Sequence, residues 1–137
     1  MKLRMKNGFI KLPESELEVM QIIWNMEKDG IEDIHAAAMF RYEPALGRLK
    51  LTTVLTLIQR LVSKGYLSVR KIGRCNCYTS LVAETAYRNF ITRDFIETVY
   101  QNDASGLVSA LIGGDCLSEK DIETLRRYID DSEKSGS

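Results

Sequence analysis

Apolar positions recur at helical spacing in some stretches of the chain and at strand spacing in others, with Pro and Gly marking most of the joins. Residues 1–11 read as a loose arm. Pro13 suits a first helical turn, and Glu14 and Glu16 follow where the helix dipole favours acids. In "ESELEVMQIIWNME" the residues Leu17, Val19, Met20, Ile22, Ile23, Trp24 and Met26 wrap most of the circumference, which predicts a helix buried on nearly every side. The turn "KDG" ends it at Gly30. "IEDIHAAAMFRY" then supplies Ile31, Ile34, Ala38 and Phe40 to a second helix, and Pro44 and Gly47 bound a loop.

The next stretch, "LTTVLTLIQRLVSKGYL", has two faces. Wound at about 100° per residue, it gathers Leu51, Val54, Leu55, Ile58, Leu61 and Val62 on a core-facing side. The other side holds Thr52, Thr53, Thr56, Arg60 and Ser63, with Gln59 and Lys64 at the edges and no carboxylate. Thr52 is the best local N-cap, and Gly65 stops the helix. "YLSVRK" and "CYTSLV" have the β-branched and aromatic content of short strands, joined through "IGRCN". The expected fold class is mainly α with a small β-hairpin: a winged helix-turn-helix whose third helix enters the major groove, followed by a C-terminal helical region.

From Ala83 the pattern changes. "AETAYRNFITRDFIETVY" places Tyr87, Phe90, Ile91, Phe95, Ile96 and Val99 along a fourth helix. A short fifth helix, "ASGLVSALIGG", carries Leu107 and Leu111. The last, "SEKDIETLRRYIDD", opens with Ser118 and Asp121 in a capping-box arrangement and shows the stripe Ile122, Leu125, Ile129. So short a region cannot bury these stripes alone, and the expected cover is the same region of a second chain. The expected division is 1–82 for the winged helix and 83–137 for dimerisation, through Tyr87, Phe90, Ile91, Phe95, Ile96, Val99, Leu107, Leu111, Leu125 and Ile129.

Charge sharpens this division. The formal net charge is zero over 137 residues, yet residues 1–82 hold 13 Lys and Arg against 8 acids, and residues 83–137 hold 6 against 11. Residues 44–83 contain no acid at all, while Arg48, Lys50, Arg60, Lys64, Arg70, Lys71 and Arg74 fall within them. A phosphate backbone responds to such a local field rather than to the overall charge. The expected DNA-binding set is therefore Thr52, Thr53, Thr56, Gln59, Arg60 and Lys64 on the third helix, with Arg70, Lys71 and Arg74 on the wing.

Chemistry beyond binding finds little material. One histidine, His35, no nucleophile elbow and no phosphate-cradling Gly-rich loop argue against an enzyme and against a small-molecule substrate. Cys75 and Cys77 stand two positions apart, a spacing open to Cu(I) or Zn(II), but no further ligands lie near them in sequence, so no metal or cofactor is expected. An odd count of three cysteines, no signal-peptide run and no span of membrane length fit the cytoplasm.

These residues carry a resemblance. The blocks "ESELEVMQIIW", "TTVLTLIQRLVSKGYL", "YTSLV" and "LSEKDIETLRRYI", running from about Leu12 to Asp131, resemble the BlaI/MecI type of penicillinase and methicillin-resistance repressors, a winged-helix family that also includes copper-responsive repressors. The resemblance implies a homodimeric repressor of a palindromic double-stranded DNA operator, with Thr53, Thr56 and Arg60 matching positions that face DNA. It further implies an antibiotic response in which a membrane sensor-protease system cuts the repressor; the matching segment here, "GLVSAL", offers Ala110-Leu111. Leu55 stands where several resistance-branch members have Arg, and Lys50-Leu51 replaces a Ser-Pro, so no operator sequence carries over. Two alternatives stay open: a thiol- or copper-responsive repressor using Cys75 and Cys77, and a winged helix that docks another protein.

Overall fold

The computed structural model describes residues 9–135; residues 1–8 of the expected N-terminal arm lie outside the described residues. The chain divides into two compact units, one ending at Thr92 and the other beginning at Arg93.

The first unit is a winged helix. Helix α1 (Glu14–Lys28) buries Val19, Met20, Ile22, Ile23, Trp24 and Met26, as its wrapped apolar pattern requires. Helix α2 is shorter than its periodicity suggests, Ala36–Tyr42, because His35 caps it: Nδ1 accepts from the Ala38 backbone N–H at 3.2 Å. Ile31 and Ile34 thus fall outside α2. Ile34 instead forms an isolated bridge to Tyr78, whose N–H donates to the Ile34 carbonyl at 2.8 Å. The expected loop at Pro44 is a 3₁₀ turn, Pro44–Arg48, which buries Leu46.

Helix α3 runs Leu51–Ser63, with Lys50 rather than Thr52 at the N-cap and no side-chain cap. It ends in a Schellman motif: Tyr66 N–H donates to the Leu61 carbonyl at 2.9 Å and Gly65 N–H to the Val62 carbonyl at 3.1 Å. Gly65 adopts φ +82°, the left-handed region that L side chains disfavour. Strands β1 (Leu67–Ile72) and β2 (Cys75–Ser80) pair antiparallel from Leu67↔Ser80 to Ile72↔Cys75, leaving only Gly73-Arg74 as the turn.

The core of this unit joins α1, α3 (Val54, Leu57, Ile58, Leu61), the strands (Leu67, Tyr78) and the first half of α4 (Glu84–Thr98) through Tyr87 and Phe90. Polar groups at its edge are satisfied: Trp24 Nε1 donates to the Val82 carbonyl at 2.8 Å, Leu12 N–H to the Tyr87 hydroxyl at 2.9 Å, and Tyr66 hydroxyl to the Ile10 carbonyl. Phe9 stacks on Phe90 with centroids 5.0 Å apart, so residues 9 and 10 of the arm belong to the fold. Packing by Tyr87 and Phe90 moves the division to Thr92/Arg93, beyond the boundary at 82/83 expected from composition.

The second unit comprises the end of α4, helix α5 (Ala104–Gly113) and helix α6 (Glu119–Ser135). Asp103 caps α5, accepting from Gly106 N–H at 3.0 Å. The capping box of α6 forms as expected: Ser118 N–H donates to Asp121 at 3.0 Å and Asp121 N–H to Ser118 Oγ at 3.1 Å. No described residue from 93 to 135 is buried. Among the described residues no helix is long and apolar enough to cross a membrane.

Candidate nucleic-acid interface

Helix α3 sorts its residues by burial. Val54, Leu57, Ile58 and Leu61 are buried, and Thr52, Thr53, Thr56, Gln59, Arg60 and Ser63 are exposed together on the opposite side. The wheel drawn from sequence is therefore corrected at one edge: Leu57 is core, while Leu51 and Leu55 are 52% and 40% exposed. Seven apolar residues among thirteen make a stripe wider than α1 and the hairpin cover.

Among the described residues Arg60 forms no ion pair, so its five guanidinium donors are available to a partner. Thr56 is less free. Its hydroxyl donates to the Thr52 carbonyl at 2.9 Å, which commits its proton and leaves the oxygen only its acceptor lone pairs for a partner. Lys50, exposed at the start of α3, joins the same surface and was not in the set expected from sequence; its place in the acid-free stretch is the signal that pointed to it.

Lys64 does not join that surface. Its Nζ lies 2.5 Å from Glu16 Oε1, and Glu16 is only 3% exposed, so the ammonium serves as counter-ion to a buried carboxylate. Arg48 is likewise held, by Glu18 of α1, whose carboxyl this hydrogen bond pulls below the usual carboxylate range.

The wing cations separate as well. Cross-strand partners share a face, so Arg70 sits with Cys77 and Lys71 with Asn76 on opposite faces of the hairpin. Arg70 is 3.6 Å from Asp33, a loose pair between exposed side chains, and Arg74 occupies the turn. Cys75 is exposed and Cys77 buried, and burial pushes the Cys77 thiol up, with Asp33 adding to the effect. Among the described residues no three His, Cys, Asp or Glu side chains converge as a metal site would require.

The residues expected at a dimer face also divide. Tyr87 and Phe90 are buried in the first unit and Ile91 packs partly against it, so these three serve the chain's own core instead. Ile96, Leu107, Leu111 and Leu125 are half-buried, while Phe95, Val99 and Ile129 are exposed; Val99 retains 61% of its surface. Val108, Ile112 and Tyr128 are exposed too and extend the uncovered apolar surface beyond the expected set. The Ala110-Leu111 bond lies inside α5, where a protease would have to unwind the helix to reach it.

Comparison with known proteins agrees in one direction. The family model described as "Penicillinase repressor" matches residues 12–131. The methicillin resistance regulatory protein MecI of Staphylococcus aureus is 29% identical over 127 residues, covering 91% of this chain and 98% of its own. The penicillinase repressor of Bacillus licheniformis is 25% identical over 123 residues, covering 88% and 91%. A solution structure of the DNA-binding domain of the repressor BlaI is 28% identical and superposes with a TM-score of 0.46, covering 56% of this chain and 88% of that one.

Proposed function

The chain belongs to the penicillinase repressor family, whose members are repressors of transcription and not enzymes, and on that premise we propose that it binds a specific double-stranded DNA operator as a homodimer in the cytoplasm. The observation that carries the reading is the exposed, carboxylate-free face of α3: Thr52, Thr53, Thr56, Gln59 and Arg60, with Lys50 at its start. Short donors and acceptors let a helix lie close against base edges, and one arginine without an ion pair meets a guanine edge or a phosphate. Lys71 and Arg74 on the wing supply backbone contacts beside it, and Arg70 joins them by giving up its loose hold on Asp33.

The second unit supports the dimer. Its uncovered apolar residues, Phe95, Val99, Val108, Ile112, Tyr128 and Ile129, are a surface that a monomer in water would leave wet at considerable cost. A twofold pairing of that surface presents two copies of α3 to a palindromic operator with half-sites about one helical turn apart, roughly 34–36 Å, or a multiple of it. Repression ends when that pairing is weakened, by cleavage at α5 or by another signal, because a single half-site forfeits the avidity of two.

The test is selection from a randomised duplex library by the full-length chain, followed by titration across salt. The expected result is an enriched inverted repeat whose binding weakens steeply with salt, and a loss of about 1–3 kcal/mol per half-site in Arg60→Ala. No enrichment, or binding indifferent to salt, would overturn the reading in favour of a winged helix that docks protein. Ile129→Asp with Val99→Asp is expected to give monomers by sedimentation and to abolish tight operator binding.

A further inference from the structure

The face assigned to DNA has an apolar flank that its polar residues do not explain. Leu51 and Leu55 lie one turn apart on α3, both substantially exposed, and with Ala36, Ala37 and Phe40 of α2 they line an open hollow of ≈ 530 Å³. Leu55 is three residues after Thr52 and four before Gln59, so this wall adjoins the polar face directly. Two leucines left in water next to a cationic surface are costly unless a partner covers them.

The surroundings restrict that partner. Neither α2 nor α3 carries a carboxylate; Arg41, exposed and one turn on from Ala37, and Lys50, next to Leu51, flank the lining residues in sequence. An occupant must therefore present an apolar group from within an anionic surface. In the DNA major groove one base-edge group answers that description, the 5-methyl of thymine. We propose that Leu55, backed by Leu51, Ala36, Ala37 and Phe40, reads a thymine methyl group in each operator half-site. Specificity is thus shared between a polar reader, Arg60 with Gln59 and the threonines, and an apolar reader at the amino-terminal end of α3. The proposal rests on the DNA-binding reading above and adds the base that the helix prefers at one position.

Deoxyuridine tests it, since it keeps every hydrogen-bonding group of thymine and lacks only the methyl. The full-length protein is titrated against its selected duplex with each thymine replaced in turn. One thymine per half-site is expected to matter, with a loss of about fourfold, the worth of one methyl group removed from water. In Leu55→Ala that penalty should vanish at the same position while the thymine duplex itself binds more weakly, and Leu51→Ala, which thins the same wall, should reduce it. The inference is overturned if no thymine shows the penalty, or if the penalty is undiminished in both variants. It is also overturned if Leu55→Ala alters self-association in sedimentation and leaves DNA affinity unchanged, which would make the hollow a protein contact. A protein that enriches no duplex defeats the DNA reading itself; one that binds its selected duplex with steep salt dependence and ignores deoxyuridine defeats only this inference.

Discussion

Replacing Lys64 with Met removes the cation facing Glu16 and asks whether that lysine serves the fold or the DNA. The carboxylate it leaves behind is 3% exposed, and the lost contact is the 2.5 Å approach of Nζ to Oε1. Breaking a buried pair by deleting one partner costs roughly 3–5 kcal/mol. The Lys64 side chain keeps 26% of its surface, so water already screens part of the attraction. A cost of about 2–3 kcal/mol is the discounted expectation. Trp24, the single tryptophan, is buried in the same unit, so its emission during urea unfolding reports on the affected core. With a slope of about 1–3 kcal/mol per molar urea, the midpoint should fall by roughly 1 M or more. Pairing Lys64→Met with Glu16→Leu removes both charges and should recover most of the loss, giving a coupling energy of about 2 kcal/mol in the double-mutant cycle. Operator affinity measured across salt should keep its wild-type slope. A wild-type midpoint for Lys64→Met, an additive cycle, or a salt slope reduced by about one would refute the assignment and return Lys64 to the DNA face.

Other consequences can be measured independently. Gly65→Ala forces a Cβ into the left-handed region at φ +82° and should cost about 1–2 kcal/mol by the same urea assay; a neutral result would contradict the Schellman geometry. Burial, with Tyr87 nearby, pushes the Tyr66 hydroxyl up to about 12, above its ordinary value near 10. The folded state therefore favours the neutral phenol: this contribution is intact below about pH 10 and is lost as pH rises through about 12. Tyr66→Phe should flatten that alkaline decline in stability, and an unchanged slope would count against the burial. Iodoacetamide at mildly alkaline pH should modify exposed Cys75 and Cys116 well before Cys77, whose thiol is buried and raised; equal labelling would contradict that burial and favour a paired-thiol role for the wing.

Much of this molecule follows from local pattern. The wrapped apolar sequence of α1, the two-faced α3, the Gly65 stop, the strand content on either side of Gly73-Arg74 and the Ser118/Asp121 box are all short-range features, and each appears as a short-range feature would: a helix, a turn, a cap. The exposed Thr, Gln and Arg face of α3 was legible for the same reason, since residues three and four apart share a side whatever surrounds them. Local pattern does not say which part of a wide apolar stripe meets a neighbour. Leu55 and Leu57 are equally apolar, and only the position of α1 and the hairpin buries one and bares the other. The stripe from Tyr87 to Val99 is continuous in sequence, yet Phe9, Leu12 and Trp24 cover its first part and leave Phe95 and Val99 exposed. Glu16 and Lys64, 48 residues apart, carry no trace of one another in their own segments, because an ion pair is decided by where two helices meet. Sequence alone determined the elements and the chemistry of the face they offer; the tertiary structure decided which cations remain free to use it, because burial and charge pairing depend on neighbours that are distant along the chain.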